Sequence, residues 1–201
     1  MIGRFALGAA AAIAAAAWWW RNHPSACPYR QRFWVEAPHP LITRERLRET
    51  LAPQPGERIL EIGPGTGYYT IDLAQWVGAS GTVDIFDLQQ EFLDHTIERA
   101  TERGLANVRP TQGDAQKLPY DDDSFDACVL ITVLGEIPNQ AAALSEIARV
   151  LRPGGRLVVG ELLGDPHYVT PGSLAKRAEA SGLRVERRVG PPFGYFARLV
   201  A

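Results

Sequence analysis

The stretch ILEIGPGTGYYT, from Ile59 to Thr70, decides the fold of this 201-residue chain. Its aliphatic start predicts a buried strand, and three glycines at alternate positions predict a turn that opens a helix near Gly67. Gly63, Gly65 and Gly67 carry no side chain, so a ligand can lie directly against the backbone there. Backbone amides at the start of the helix can bind an anionic group of that ligand. The stretch therefore predicts a ligand site at the carboxyl end of the strand.

The next apolar stretch, VDIFD, ends in an acid, Asp87, about twenty residues after the glycine turn. A carboxylate at the end of a strand can accept hydrogen bonds from both hydroxyls of a ribose. A nicotinamide-binding fingerprint needs a glycine at the sixth position counted from Gly63, and Tyr68 occupies that position. The spacing therefore disfavours a nicotinamide oxidoreductase. A protein of that class would show a preference for NADH in binding experiments.

Two later segments complete an ordered series of motifs. GDAQKLPYDDDSFDACVLI, from Gly113 to Ile131, has an acid after one strand and then a second strand. RVLRPGGRLVVGEL, from Arg149 to Leu162, has a helix end, a Pro-Gly-Gly turn and an apolar strand. Together with the first two segments, they resemble the class I S-adenosylmethionine-dependent methyltransferases. The wider pattern is similar to the type-11 methyltransferases, which include quinone- and lipid-methylating enzymes.

The resemblance implies an enzyme with a site for S-adenosyl-L-methionine. In that site the glycine turn meets the methionyl carboxylate, Asp87 binds the ribose, and Asp114 with the backbone of Ala115 binds the adenine edge. Glu61 lies near the methionyl amino group, or is instead a structural acid that holds the turn. The predicted cofactor-binding residues are Glu61, Gly63, Pro64, Gly65, Thr66, Gly67, Asp87, Leu88, Asp114, Ala115 and Ile131.

Strands and helices alternate along the chain as they do in a parallel sheet with helices on both faces. The predicted strands are 59–62, 82–86, 107–112, 126–131, 155–162, 183–189 and 194–200, and the predicted helices are 67–77, 90–103, 139–151 and 171–181. A further amphipathic helix follows a capping Thr43. The predicted fold class is α/β, with a Rossmann-like, mostly parallel, seven-stranded sheet. The resemblance implies that the last two strands form an antiparallel hairpin.

Length and composition favour one catalytic domain, residues 56–201, because 46% apolar residues in a chain of this size can bury a single core. The net charge is −2 and basic residues are interleaved with acids, which disfavours a nucleic-acid partner. Cys27 and Cys128 are far apart and lack histidines at ligand spacing, so we predict neither a disulfide nor a metal site. Two such cysteines fit a reducing compartment.

The run from Phe5 to Trp20 is uncharged and ends in three tryptophans. It reads as a single-pass anchor, a cleaved signal peptide or an alanine-rich soluble helix, and its length is marginal for a spanning helix. A methyl donor made in the cytosol disfavours export. The tryptophans suit a membrane interface, and Arg21 and the arginines beyond it favour a cytoplasmic catalytic side. We therefore expect residues 1–21 to anchor a cytoplasmic catalytic domain to a membrane; the alternative is a soluble cytoplasmic protein.

Residues 22–55 are predicted to form a linker and a cover over the active site. The remainder of the chain is a minimal core with no insertion large enough for that purpose. In methyltransferases of the class that the chain resembles, the region before the first strand commonly covers the active site.

The residues that follow the fourth strand, Ile131 to Leu134, differ from the Asn/Asp-Pro-Pro-aromatic tetrad of methyltransferases that act on adenine or glutamine amides. An apolar wall there suits a small, lipophilic acceptor that is presented from the bilayer. A general base is needed only where the acceptor loses a proton. The candidates are Glu136, which can equally cap a helix or face solvent, and His167, which can equally be an ordinary loop residue. The alternative function is a membrane-tethered, noncatalytic binding protein of the same fold.

Overall fold

The computed structural model describes residues 23–36 and 39–200. Its strands are β1 (Arg58–Ile62), β2 (Thr82–Asp87), β3 (Val108–Gln112), β4 (Phe125–Ile131), β5 (Leu151–Leu162), β6 (Arg184–Val189) and β7 (Gly194–Val200). Its α-helices are α1 (Phe33–Glu36), α2 (Arg44–Leu51), α3 (Thr70–Val77), α4 (Gln90–Glu102), α5 (Gln140–Val150) and α6 (Pro171–Ala180). Two 3-10 helices span Tyr29–Gln31 and Leu134–Glu136.

The anchor predicted for residues 1–21 lies outside the described residues. Within 23–36 and 39–200, no helix is long and apolar enough to cross a membrane.

All seven strands belong to one sheet, in the order β3-β2-β1-β4-β5-β7-β6. Strands β1 to β5 run parallel, and β7 lies antiparallel between β5 and β6. The predicted α/β fold, with a mostly parallel sheet and a C-terminal antiparallel hairpin, is thus confirmed. Because parallel strands end on the same side of a sheet, the turns after β1, β2, β3, β4 and β5 meet there. We call this side the carboxyl edge.

Two hydrophobic cores fill the two faces of the sheet, as β1 illustrates. Successive side chains of a strand point to opposite faces. Ile59 accordingly packs with α2, α3 and α4 on one face, and Leu60 and Ile62 pack with α5 and α6 on the other. A strand that is buried on both faces appears in the sequence as a continuous apolar run, which explains why β1 was predictable.

Helix α3 begins at Thr70, three residues later than the predicted start at Gly67. Gly67 has a φ of +77°, which is left-handed and incompatible with an α-helix. Its N–H donates to the carbonyl of Pro64 at 3.0 Å, so the glycines close a separate turn before the helix starts.

Strand β5 begins at Leu151, earlier than the predicted residue 155. Leu151 pairs with Phe125, and the next pair joins Arg156 to Ala127. The Pro-Gly-Gly segment between these pairs is therefore an insertion in the strand and does not precede it. The cap predicted for α2 is confirmed, because the hydroxyl of Thr43 accepts the N–H of Arg46 at 3.4 Å.

Candidate functional site

The carboxyl edge brings together the turns that the sequence marks as functional. The N–H of Gly63, after β1, donates to the carbonyl of Phe86 in β2 at 2.8 Å. The N–H of Gly113, after β3, donates to the carbonyl of Asp87 at the end of β2 at 2.9 Å. Except for Ile131, at the end of β4, the predicted cofactor residues thus lie in or beside three neighbouring turns that hydrogen bonds hold side by side.

The backbone of the glycine turn requires its glycines. The φ angles are +69° at Gly63, +57° at Gly65 and +77° at Gly67, all in the left-handed region that favours glycine. Gly63 is also confined, since a Cβ there would lie 2.4 Å from a methyl carbon of Val133. The glycines therefore shape the turn as well as leaving room for a ligand.

The glycine turn presents polar groups that no described residue satisfies. The N–H groups of Gly65 and Thr66 donate to no protein atom among residues 23–36 and 39–200. The side chain of Thr66 is fully buried, and its hydroxyl has no partner there either. Buried polar groups are normally hydrogen-bonded, so the two N–H groups in one turn indicate a place for a polar group of a ligand. A carboxylate matches their chemistry, because both can donate to it.

Glu61 is buried directly beneath the glycine turn. Its Oε2 accepts a hydrogen bond of 2.5 Å from the hydroxyl of Thr70, the first residue of α3. Burial raises the pKa of Glu61 to about 7, although the bond from Thr70 opposes the shift. This contact is the one expected of an acid that holds the turn, and it leaves Oε1 for a second partner.

Asp87 lies beside the glycine turn at the end of β2. One carboxylate oxygen accepts the N–H of Gln89 at 2.8 Å, and burial raises the pKa of Asp87 to about 6. The next side chain, Leu88, is apolar and 58% exposed. The pair therefore offers a carboxylate and an apolar surface on adjacent residues.

Asp114 and Ala115 follow β3 in the neighbouring turn. Asp114 is exposed, and its carboxylate accepts both the N–H and the side-chain amide of Gln116, at 2.8 to 2.9 Å. The carbonyl oxygen of the Gln116 side chain accepts the N–H of Asn139 at 3.1 Å. Ala115 is buried. The turn is thus held next to the end of β2 by its own hydrogen bonds and by one from Asn139.

The end of β4 forms an apolar wall with an unusual backbone. Ile131 is buried, and Val133 packs partly buried against the core. Between them, Thr132 has a φ of +56°, a region that β-branched residues rarely adopt. Its N–H donates to the carbonyl of Gly160 in β5 at 2.8 Å, which holds it in place. Such strain often accompanies a functional turn.

Glu136 lies just beyond this wall, in the 3-10 helix. Its Oε2 accepts the N–H of Cys27 at 3.3 Å. Burial, and then repulsion from the carboxylates of Asp165 and Asp87, raises the pKa of Glu136 to about 8. A carboxyl group with such a pKa can take up a proton near neutral pH.

Two more carboxyl groups lie at the end of β5. Glu161 is 1% exposed; its Oε2 accepts the N–H of Val169 at 3.0 Å, and its Oε1 has no partner among the described residues. Burial raises its pKa to about 8. Asp165, whose pKa burial also raises, accepts the N–H of His167 at 2.6 Å. Sequence reasoning missed Asp165, and its place shortly after β5 is the only signal that could have indicated it.

His167 is nine-tenths buried and packs its backbone against Gly135. With Arg177 and Ser173 of α6 and with Asn139, it lines a cleft of about 550 Å³ beside the first turns of α5 and α6. The structure therefore places His167 next to Asp165 at the carboxyl edge, where it also lines this cleft.

A strap of residues 23–36 crosses the carboxyl edge. The side-chain amide of Gln89, just after β2, donates to the carbonyl of Cys27 at 2.9 Å and accepts the N–H of Tyr29 at 3.1 Å. Cys27 also reaches Glu136, after β4. The ring of Tyr29 packs edge-on against Phe92 of α4, with centroids 5.1 Å apart. The strap therefore contacts the segment that follows β2 and the segment that follows β4, and these two strands flank β1 in the sheet.

The model of the ubiE/COQ5 methyltransferase family matches residues 38–166. The "Ubiquinone/menaquinone biosynthesis C-methyltransferase UbiE" of Azotobacter vinelandii is 41% identical over 107 residues, which cover 53% of this chain and 42% of that protein. The "Demethylmenaquinone methyltransferase" of Staphylococcus epidermidis is 34% identical over 117 residues, covering 58% and 48%. The chain thus spans less than half the length of these relatives.

Solved structures share the fold. A SAM-dependent methyltransferase from Aquifex aeolicus matches with a TM-score of 0.79 and 21% identity, over 88% of this chain and all of that one. The [4+2]-cyclase SpnF matches with a TM-score of 0.66 and 26% identity, over 73% of this chain and 57% of that one. The expected Rossmann-like methyltransferase fold is confirmed, and because one neighbour is named a cyclase, the fold alone does not fix the reaction.

Proposed function

Because this chain belongs to the ubiE/COQ5 methyltransferase family, we propose that it transfers a methyl group from S-adenosylmethionine to a small, lipophilic acceptor of the quinone class, at or near a membrane. The observation that carries this proposal is the glycine turn, whose two unpartnered N–H groups, of Gly65 and Thr66, lie between Glu61 and Asp87. The names of the relatives from Azotobacter vinelandii and Staphylococcus epidermidis support the acceptor class.

The residues of the carboxyl edge fit the cofactor. The N–H groups of Gly65 and Thr66 would bind the methionyl carboxylate, and Asp87 would accept hydrogen bonds from the ribose hydroxyls. Leu88 offers an apolar surface to the adenine, and Asp114 an acceptor for its amino group. When bound, the cofactor supplies a methyl group that is activated by a sulfonium. The protein then has to align the acceptor and exclude water, tasks for which no covalent participation is needed.

The acceptor would enter between the ends of β4 and β5. Ile131 and Val133 supply the apolar wall. Leu163 and Phe193, near the end of β5, add exposed apolar side chains on this side of the sheet: they are 61% and 48% exposed, and the N–H of Leu163 donates to the carbonyl of Phe193 at 2.9 Å. Exposed apolar side chains at this edge suit a lipophilic ligand.

Methylation at carbon of a hydroxylated ring requires the acceptor to lose a proton. Glu136 is the residue best suited to take it, because it lies just after β4 and its pKa, about 8, is close to neutral pH. Asp165 and Glu161 lie close enough to influence this proton electrostatically. The strap, whose Cys27 N–H reaches Glu136, would help to exclude water from the same place.

The division of the chain also belongs to this proposal. Residues 1–21 anchor the protein to a membrane, residues 22–55 form a linker and a cover over the active site, and residues 56–201 form the catalytic domain. Pro24 and Cys27 already lie at the carboxyl edge, against the cleft of His167 and against Glu136. The first described residues after the uncharged run from Phe5 to Trp20 therefore lie at the edge where the acceptor would enter.

The decisive experiment is calorimetric titration of the full chain with S-adenosylmethionine, S-adenosylhomocysteine and NADH, with Asp87→Ala alongside. Binding of the first two ligands that is weakened in Asp87→Ala supports the proposed site. Turnover is then measured with a polyprenylated demethylquinol in vesicles and with a water-soluble quinol. Cofactor binding without any turnover would favour the noncatalytic alternative, and a preference for NADH would overturn the proposal.

A further inference from the structure

Helix α4 holds the glycine turn from behind through two side chains. The hydroxyl of Thr96 donates to the carbonyl of Gly65 at 3.0 Å, and Nη1 of Arg99 donates to the carbonyl of Thr66 at 2.5 Å. Thr96 is fully buried, so this hydrogen bond is protected from competing water. Two successive carbonyl oxygens of the turn therefore point towards α4.

The carbonyl that Thr96 holds determines the direction of a neighbouring N–H. In a planar trans peptide the C=O and the N–H point in opposite directions. The carbonyl of Gly65 and the N–H of Thr66 belong to the same peptide. Because the carbonyl faces α4, the N–H of Thr66 faces away from it, and this N–H has no protein partner among the described residues.

Arg99 acts on the following peptide. The carbonyl of Thr66 and the N–H of Gly67 share that peptide, and this N–H donates to the carbonyl of Pro64 at 3.0 Å. Arg99 thereby fixes the bond that closes the turn. Its guanidinium also adds a positive charge behind the donors, which favours an anionic group in front of them.

The hydrogen bond of Thr96 is not the ordinary bond of a helical threonine. Such residues usually donate to the carbonyl four positions earlier in their own helix. Thr101 of the same helix does so, donating to Ile97 at 2.8 Å at an exposed position. Thr96 instead donates to the turn, and the packing is close, since a Cβ at Gly67 would lie 3.0 Å from the methyl carbon of Thr96.

We propose that Thr96 and Arg99 are positioning residues that aim the glycine turn at the carboxylate of the bound cofactor, an inference that rests on the proposed function. Neither residue would touch the ligand. Their effect would be confined to the methionyl end, because the adenosyl end would lie against the turns after β2 and β3. A ligand without the amino-acid group would therefore not depend on them.

The test compares S-adenosylmethionine with 5′-methylthioadenosine, which lacks the amino-acid group, by calorimetric titration of the full chain. We expect Thr96→Val to raise the Kd of S-adenosylmethionine about tenfold, as for the loss of one hydrogen bond. The Kd of methylthioadenosine is expected to stay within about twofold, on the same reasoning. Thr101→Val is the matched control and should change neither Kd. Thr96→Ser, which keeps the hydroxyl, should restore most of the affinity.

Equal losses for the two ligands, or an unchanged Kd for S-adenosylmethionine in Thr96→Val, would overturn the inference and leave the proposed function intact. If the unaltered chain bound neither ligand, the proposed function would fall, and this inference with it. Arg99→Met provides an independent second variant and should reproduce the selective loss.

Discussion

The hydroxyl of Thr70 donates a hydrogen bond of 2.5 Å to Oε2 of the buried Glu61, which joins β1 to the first residue of α3 across the glycine turn. Thr96 and Arg99 hold the same turn from the side of α4. The turn is therefore fixed at both ends and from behind before any ligand binds. Preorganisation of this kind lowers the cost of ordering a binding site.

We predict that Glu61→Gln separates the two roles considered for Glu61. The amide oxygen of glutamine can still accept the hydrogen bond from Thr70, so the turn keeps its support. Removing the charge should weaken the binding of S-adenosylmethionine about tenfold if Glu61 pairs with the methionyl amino group. At pH 8 the variant should be at least as stable as the unaltered chain, because a carboxylate with a pKa of about 7 is ionised and buried there.

Calorimetric titration and urea denaturation measure these two effects. Thr70→Val removes the hydroxyl and keeps the carboxylate, so it should reduce stability by about 1 kcal/mol. If Glu61→Gln left the Kd of S-adenosylmethionine unchanged while Thr70→Val lowered stability, Glu61 would only hold the turn.

Gly63→Ala should destabilise the domain both through a steric clash with Val133 and through backbone strain. A Cβ at this position would lie 2.4 Å from Val133, and φ is +69°. Gly104→Ala is the matched control, because its φ is +68° and nothing lies within 4 Å of the added carbon. We expect a loss of about 1 kcal/mol in Gly104→Ala from the backbone alone and a further 1–3 kcal/mol, roughly, in Gly63→Ala from overpacking.

Urea denaturation of both variants checks this prediction. The double variant Gly63→Ala/Val133→Ala should recover much of the additional loss, since it removes the methyl groups that the new carbon meets. Equal losses in the two single variants would show that Val133 moves aside at little cost.

The pH dependence of turnover should identify Glu136 as the group that takes the proton. A base acts in its ionised form, and the pKa of Glu136 is about 8. The rate should therefore rise with pH through this region and level off above it. Glu136→Gln should lose the rising limb and most of the rate, by about 10²-fold or more. Its affinity for S-adenosylmethionine should stay close to that of the unaltered chain, and a retained rising limb would exclude Glu136.

Stability should fall as the pH rises, because of the buried carboxyl group of Glu161. Its pKa is raised from an ordinary 4.5 to about 8 by burial, so the folded state binds the proton more tightly than the unfolded state. The stabilisation is complete below about pH 4.5 and is lost between there and about pH 8. Glu161→Gln should flatten the decline in Tm between about pH 5 and pH 8.5, the range in which the folded chain keeps a proton that the unfolded chain has lost. A decline of the same size in the variant would assign the effect to other groups.

The sequence pattern predicted the strands, the glycine turn and the position of Asp87 at the end of β2, because each of these depends on neighbouring residues. Ile59, Leu60 and Ile62 form an apolar run, and the glycine spacing is visible within five positions. The start of α3 was misplaced because the turn closes through Pro64 and Gly67 before the helix begins. Local patterns do not distinguish these two arrangements.

Contacts between distant parts of the chain were not predictable. Cys27 and Glu136 are 109 positions apart, and their hydrogen bond depends on the strap crossing the sheet. The positive φ of Thr132 depends on its bond to Gly160 of the neighbouring strand, and threonine gives no local signal for it. Asp165 becomes part of the site only because β4 and β5 are neighbours.

The last prediction concerns Arg156, which stabilises the domain at the opposite edge of the sheet. It is 7% exposed, donates to both carboxylate oxygens of Glu57 at 2.9 and 2.7 Å, and donates to the carbonyl of Leu51 at the end of α2 at 2.5 Å. Arg156→Met should lower the free energy of unfolding by about 3–5 kcal/mol, because it leaves a largely buried carboxylate and a helix end without their partner. Arg187→Met is the control, because Arg187 pairs with Glu49 at a solvent-exposed position. This variant should lower the free energy of unfolding by less than about 1 kcal/mol. Urea denaturation should show this difference in the free energy of unfolding. The folded fraction of Arg156→Met should still bind S-adenosylmethionine normally, because the glycine turn lies at the other end of the strands. Similar losses of stability in the two variants would show that Arg156 makes no special contribution.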